Sequence, residues 1–189
     1  MTSSARPSPP ASPPAAVGPV DIRPLMTAFP TGVTVVTALG AGDRPWGMTC
    51  SSLCSVSLAP PVVLVCLRRG SPTLEAVLHR GSFAVNLLQA GSRPVAELFA
   101  SSAADRFDRV PWTVEDGAAG PHLVGSSHSI ADCRLLAEQV VGDHAVLLAG
   151  VEAVRLCQQP DPLLYGLRRY ARWPADADRM TASPARQAS

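Results

Sequence analysis

The chain has 189 residues, 47% of them apolar and 16% charged, which suits one compact domain with a buried core. Its formal charge of +1 gives no electrostatic case for a nucleic-acid or anionic-membrane partner, and no stretch approaches the roughly 18–20 apolar residues of a membrane span. All 16 basic residues are arginine, which excludes Schiff-base chemistry and a lysine-dependent phosphate loop.

Residues 1–20 are rich in Pro, Ser and Ala and lack the continuous apolar segment of a signal peptide. They read as a disordered arm, as does the tail over 175–189, leaving one domain over 21–174. A cytoplasmic location follows as an expectation, with the five cysteines reduced.

Four short strands open the domain. Val33–Ala38 is the first, ended by Gly40-Ala41-Gly42-Asp43; Pro45–Thr49 is the second. Ser55–Leu58 is the third, with Val56 and Leu58 on one face and two serines on the other. After Pro60-Pro61 the unbroken apolar run Val62–Leu67 predicts a strand buried on both faces. Ser71–Leu78 predicts a helix, with Ser71 at the N-cap, Pro72 in the first turn and Gly81 past the end. Phe83–Leu88 returns to strand, and Pro94–Ala100 predicts a second short helix. Asp105–Gly120 reads as a long loop. Ser129–Val141 and His144–Leu156 predict a hairpin turned by Gly142-Asp143, followed by a last short strand, Leu163–Gly166, and a basic tail. Six or more strands with few helices favour an antiparallel barrel, because closure removes exposed edges.

Several segments hold chemistry-bearing residues. Met48-Thr49-Cys50-Ser51-Ser52 reads either as an ordinary polar turn or as a cradle of hydroxyls and backbone donors for a flat, polar-edged ligand. Arg68-Arg69-Gly70-Ser71-Pro72-Thr73 reads as a capped helix start, whose dipole and N–H groups also suit a phosphate held by Arg69, Ser71 and Thr73. Asn86, polar within an apolar strand, must satisfy its amide through backbone or through a ligand. Cys50-x-x-x-Cys54 lacks the spacing and the second pair of a closed zinc site, so no metal is expected. There is no Gly-x-Ser-x-Gly elbow for a hydrolase and no G-x-G-x-x-G for a Rossmann dinucleotide site.

An ordered series of phrases narrows these readings. FPTGVTVVT stands at Phe29–Thr37, GMTCSS at Gly47–Ser52, SVSLAPP at Ser55–Pro61 and VLVCL at Val63–Leu67. FAVNLL follows at Phe83–Leu88, GDH at Gly142–His144 and LLYGLRRY at Leu163–Tyr170. Over Ile22–Trp173 the chain closely resembles the flavin reductase component of two-component flavin-dependent monooxygenases. The family commonly has Asp before the Pro pair, where this chain has Ala59.

The resemblance implies a mainly β, Greek-key split β-barrel with a few short helices, paired as a homodimer with flavin at the subunit boundary. It implies an NAD(P)H-dependent enzyme that reduces FAD or FMN and releases reduced flavin to a partner monooxygenase, plausible in actinobacterial secondary metabolism. NADH is the expected donor, with NADPH open. By the same resemblance Met48, Thr49, Cys50, Ser51 and Ser52 hold the flavin ring and ribityl chain. Leu67, Arg68, Arg69, Ser71 and Thr73 form the phosphate side, and Asn86 lies against the flavin. His144 positions the nicotinamide, and Arg168, or Arg169 one register along, acts with Tyr170 on flavin or dinucleotide. His79, His122 and His128 read as structural. A non-catalytic flavin-carrying barrel, and a split-barrel oxidase of the pyridoxamine phosphate type, are the rival readings.

Overall fold

Strand pairing in the computed structural model, which describes residues 20–173, is antiparallel throughout. The expected arm, up to its last residue, and the expected tail lie outside the described residues. A short helix α1 (Arg23–Thr27) leads into β1 (Thr31–Gly32), β2 (Thr34–Leu39), β3 (Pro45–Cys50), β4 (Cys54–Leu58) and β5 (Pro61–Arg68). Then come α2 (Pro72–Arg80), β6 (Ser82–Leu88), α3 (Arg93–Ala100), β7 (Ser127–Val141), β8 (His144–Leu156), β9 (Leu163–Gly166) and β10 (Arg169–Arg172). Seven strands form one sheet in the order β3-β2-β6-β7-β8-β5-β4, and β1-β9-β10 form a second.

The large sheet curls until β3 approaches β5, and a side chain bridges the seam. The Ser52 hydroxyl accepts from the Cys66 N–H (2.8 Å) and donates to the Cys66 carbonyl (3.1 Å), standing in for a strand pairing. This is the expected split barrel, with few helices. Its interior is filled by alternating residues such as Val36, Val65, Leu67, Phe83 and Leu147, all closed to solvent. Helix α2 packs over one part of this core through Leu74 and Val77. Its boundaries follow the sequence signals: Ser71 Oγ accepts from the Leu74 N–H (3.2 Å), and Gly81 ends the helix in the left-handed region at φ 73°. Helix α3 covers a second cluster through Ala96 and Phe99, with Leu88, Leu123 and Leu163.

Some expectations are corrected. Strand β5 is not buried on both faces: Val65 and Leu67 are buried, whereas Val62, Leu64 and Cys66 are only half-covered. In β4 a bulge between Ser55 and Ser57 shifts the register, and both Val56 and Leu58 are exposed on this edge strand. The basic segment after Gly166 is not a tail but strand β10, paired with β9 from Arg169↔Gly166 to Arg172↔Leu163. The β7–β8 hairpin forms as expected around Gly142, at φ 58°.

Candidate active site

A cleft of about 500 Å³ opens where three segments meet. Met48 and Thr49 at the end of β3 form its floor, Arg68–Thr73 between β5 and α2 form one wall, and Phe99–Ser102 with Arg106 form the other. Among the described residues no carboxylate lines it, so the cleft is a cationic and hydroxyl-rich surface suited to an anion.

At the first wall the α2 start is less generous with donors than its sequence suggests. Pro72 has no N–H, the Leu74 N–H is capped by Ser71 Oγ, and the Glu75 N–H bonds the Ser71 carbonyl (3.1 Å). Among the described hydrogen bonds this leaves the Thr73 N–H, its hydroxyl and the helix dipole for an anion. Arg69 leans the other way. Its N–H donates to the Asp143 carbonyl (3.0 Å) and its guanidinium to the Gly142 carbonyl (3.3 Å), tying the wall to the β7–β8 turn. That turn carries His144, which pairs across the ladder with Arg68 at the cleft rim. His144 Nδ1 lies 2.9 Å from Asp143 Oδ1. The hydrogen bond and charge of His144, with Arg68 a lesser cause, hold the exposed Asp143 carboxyl below the usual range.

At the floor, Thr49 Oγ1 donates to the Ala96 carbonyl of α3 (2.7 Å), so this hydroxyl fixes the helix as well as lining the cleft. Gly47, one residue before Met48, packs directly under Phe99. A Cβ there would lie 2.9 Å from Phe99 Cε1, so only glycine fits without displacing the ring.

A second cleft, about 720 Å³, lies beyond the end of β3. It brings together Ser51, Ser52, Cys54, Tyr165 and Arg168. Leu167 and Arg168 turn β9 into β10 with φ of 52° and 58°, a left-handed pair that favours glycine and is costly for larger residues. The proposed site residues therefore fall in two groups on either side of the 47–52 segment.

Four expected contacts do not hold as stated. Asn86 is fully buried and both ends of its amide are bonded within the protein. Nδ2 donates to the Val35 carbonyl (3.1 Å), Thr37 Oγ1 (3.0 Å) and the Pro121 carbonyl (3.3 Å), and Oδ1 accepts from the Leu123 N–H (2.8 Å). It clamps the 121–123 segment onto β2 and β6 and, with no exposure, is closed to a flavin. Leu67 points into the barrel core with no exposure. Cys50 is likewise interior, its Sγ 2.9 Å from Ser52 Oγ and its carbonyl accepting from the Thr34 hydroxyl (2.9 Å), and it lines neither cleft. Tyr170 packs against the α3 cluster, with its ring 5.1 Å from Tyr165 and under the Arg93 guanidinium at 5.6 Å. Desolvation raises its phenol pKa.

Arg106, Phe99, Ser101 and Ser102 were not among the expected site residues, because the end of α3 and the loop after it, far along the chain from β3, supply them. The signal available was aromatic: Phe99, Phe107 and Trp112 stack edge to face at 5.1 and 5.6 Å and hold the loop in place.

A family model, the flavin reductase like domain, matches residues 26–174. The chain belongs to the flavin reductase family. A flavin reductase (NADH) of Kitasatospora aureofaciens is 46% identical over 162 residues, covering 84% of each chain. A flavin reductase (NADPH) of Lentzea aerocolonigenes is 48% identical over 154 residues, covering 81% of this chain and 89% of that one. Among solved structures, the Streptomyces globisporus C-1027 NADH:FAD oxidoreductase, in complex with NAD and FAD fragments, superposes with a TM-score of 0.77 at 33% identity. It is matched over 86% of this chain and 100% of that one. The styrene monooxygenase flavin reductase of Pseudomonas putida S12 gives 0.74 at 30% identity, over 82% and 98%. The expected activity, NAD(P)H-dependent reduction of a flavin, is thereby borne out, and the pyridoxamine phosphate oxidase reading falls away.

Proposed function

We propose that this flavin reductase takes up FAD or FMN as a diffusing substrate, reduces it with NADH, and releases it to a partner flavin-dependent monooxygenase. The observation that carries this reading is the cationic cleft over Met48 and Thr49, with His144 held at its rim by pairing to Arg68. Its contents fit a flavin: anion donors at one end, backbone and hydroxyl groups along the floor, and no carboxylate among the described residues to repel a phosphate. The flavin, when bound, supplies the hydride-accepting chemistry. The chain's task is to hold two rings in register and keep water out, for which no acid–base pair is needed. Arg68, Thr73 and the floor orient the flavin, His144 positions the nicotinamide, and Ser51, Ser52 and Arg168 border the second cleft, where the longer parts of either nucleotide extend.

The named functions of the relatives support both the donor and the partner, with NADPH as the alternative donor. Among the described residues no helix is long and apolar enough to cross a membrane. The formal charge of +1 supports small molecules and protein partners over nucleic acid. Loss of NADH absorbance on adding FAD, FMN or riboflavin tests the activity. Turnover with substoichiometric protein and excess flavin is expected. Tight retention of one flavin per chain, without turnover, would instead support the flavin-carrying barrel.

A further inference from the structure

Arg106 sits on a short 3₁₀ turn, Arg106–Asp108, in the loop that walls the cleft opposite α2. Its neighbour Phe107 is locked between Phe99 and Trp112, and the Trp112 indole N–H donates back to the Phe107 carbonyl (3.1 Å). The guanidinium is therefore placed by a packed scaffold rather than by a free loop. Nη1 donates to the Gly47 carbonyl (2.7 Å), while Nε is buried without any partner. Among the described residues no carboxylate pairs with Arg106; the adjacent Asp105 faces Arg109 at 3.9 Å. A partly buried guanidinium with one neutral acceptor and an orphaned donor is electrostatically incomplete. Because Arg106 lines the cleft, an anion there can meet the Nη donors that the Gly47 carbonyl leaves over.

The cleft thus carries anion-binding groups on two facing walls: the Thr73 N–H and hydroxyl with Arg68 on one, and Arg106 with Ser102 on the other, the Ser101 hydroxyl being spent on the Leu98 carbonyl (2.7 Å). A flavin monophosphate offers these walls one anionic group, whereas a diphosphate offers one to each. We infer that Arg106 is a specificity-determining residue that binds the second phosphate of FAD, and that this chain prefers FAD to FMN. The inference rests on the flavin reductase reading above, with the α2 wall taking the phosphate that FAD and FMN share.

The test measures dissociation constants of FAD, FMN and riboflavin by flavin fluorescence for the full chain and for Arg106→Ala, Arg106→Lys and Thr73→Ala. Arg106→Ala should weaken FAD by roughly 10- to 100-fold, the size of one lost charge-assisted contact, while moving FMN and riboflavin by less than about threefold. Arg106→Lys keeps the charge without the fork and should recover part of the FAD affinity. Thr73→Ala should weaken FAD and FMN together and spare riboflavin. A purely structural role through the Gly47 clamp would weaken all three flavins in Arg106→Ala, riboflavin included, and would overturn the inference. Equal loss of FAD and FMN would overturn it too. If Arg106→Ala does not fold, the Lys variant carries the same comparison. Reduction of riboflavin by wild-type protein, which needs no phosphate contact, separates failure of this inference from failure of the flavin reductase reading.

Discussion

Asn86 and His144 mark opposite fates for polar residues in this barrel. Asn86→Ala would leave the Leu123 N–H in a buried site without its partner, while the Pro121 carbonyl keeps the Thr37 hydroxyl (2.6 Å). The expected loss is roughly 1–3 kcal/mol for the unsatisfied group, read as a lower urea midpoint at unchanged slope. Riboflavin affinity of the folded fraction should stay put; a selective loss of affinity at full stability would return Asn86 to the site. His144 is half-exposed on the rim, and its one side-chain contact among the described hydrogen bonds is with its neighbour Asp143. His144→Ala should therefore leave the melting temperature close to wild type. It should raise the KM for NADH and slow reduction, because a misplaced ring can cost on the order of 10²-fold in rate. Stopped-flow reduction at several NADH concentrations checks this, and unchanged kinetics would move the dinucleotide contact to Arg168.

At the level of elements, the seam between β3 and β5 is the place where one hydroxyl replaces a strand pairing. Ser52→Ala removes both bonds to Cys66 and leaves its N–H without this partner. A loss on the order of 1–3 kcal/mol is expected, together with faster amide exchange at Cys66 and weaker binding of all flavins alike, since the β3 end forms the cleft floor. Loss of FAD affinity alone, with normal exchange at Cys66, would instead make the Ser52 hydroxyl a ligand contact. Elements with a local signal were legible in the sequence: α2 from its Ser71 cap and Gly81 stop, the β7–β8 hairpin from Gly142-Asp143. Strand β10 was not, because Arg169–Arg172 has no apolar alternation and is ordered by its ladder to β9. The cleft was half legible for a similar reason. Its floor and first wall follow closely spaced phrases, while Arg106 reaches Gly47 across 59 residues and is placed by aromatic stacking. Residue type alone misled at Asn86 and Cys50, which match the family phrases yet turn their side chains inward.

For the whole molecule, the unfinished feature is apolar surface where the core-facing side of the sheet is left uncovered. Leu58, Val154 and Leu156 are 88%, 64% and 77% exposed, and beside the last two lies an apolar depression of about 260 Å³ lined by Leu53, Val63, Leu87 and Val151. Apolar surface of this kind is where the homodimer expected from the family resemblance would pair, each copy meeting the same patch across a two-fold axis. Leu53 is shared between this depression and the second cleft, so pairing would also bring a neighbouring subunit beside Ser51 and Ser52. Sedimentation velocity should give a dimer for wild type at micromolar concentration, with a melting temperature that rises with protein concentration. The double variant Val154→Asp, Leu156→Asp places two charges on each copy's patch, and their desolvation should weaken association by at least about 100-fold, giving monomer. If the partner subunit walls the site, NADH oxidation should fall with the dimer fraction across a dilution series of wild type, and the variant should match the most dilute sample. A monomeric wild type, or a monomeric variant with full reductase activity, would confine the cleft to a single chain.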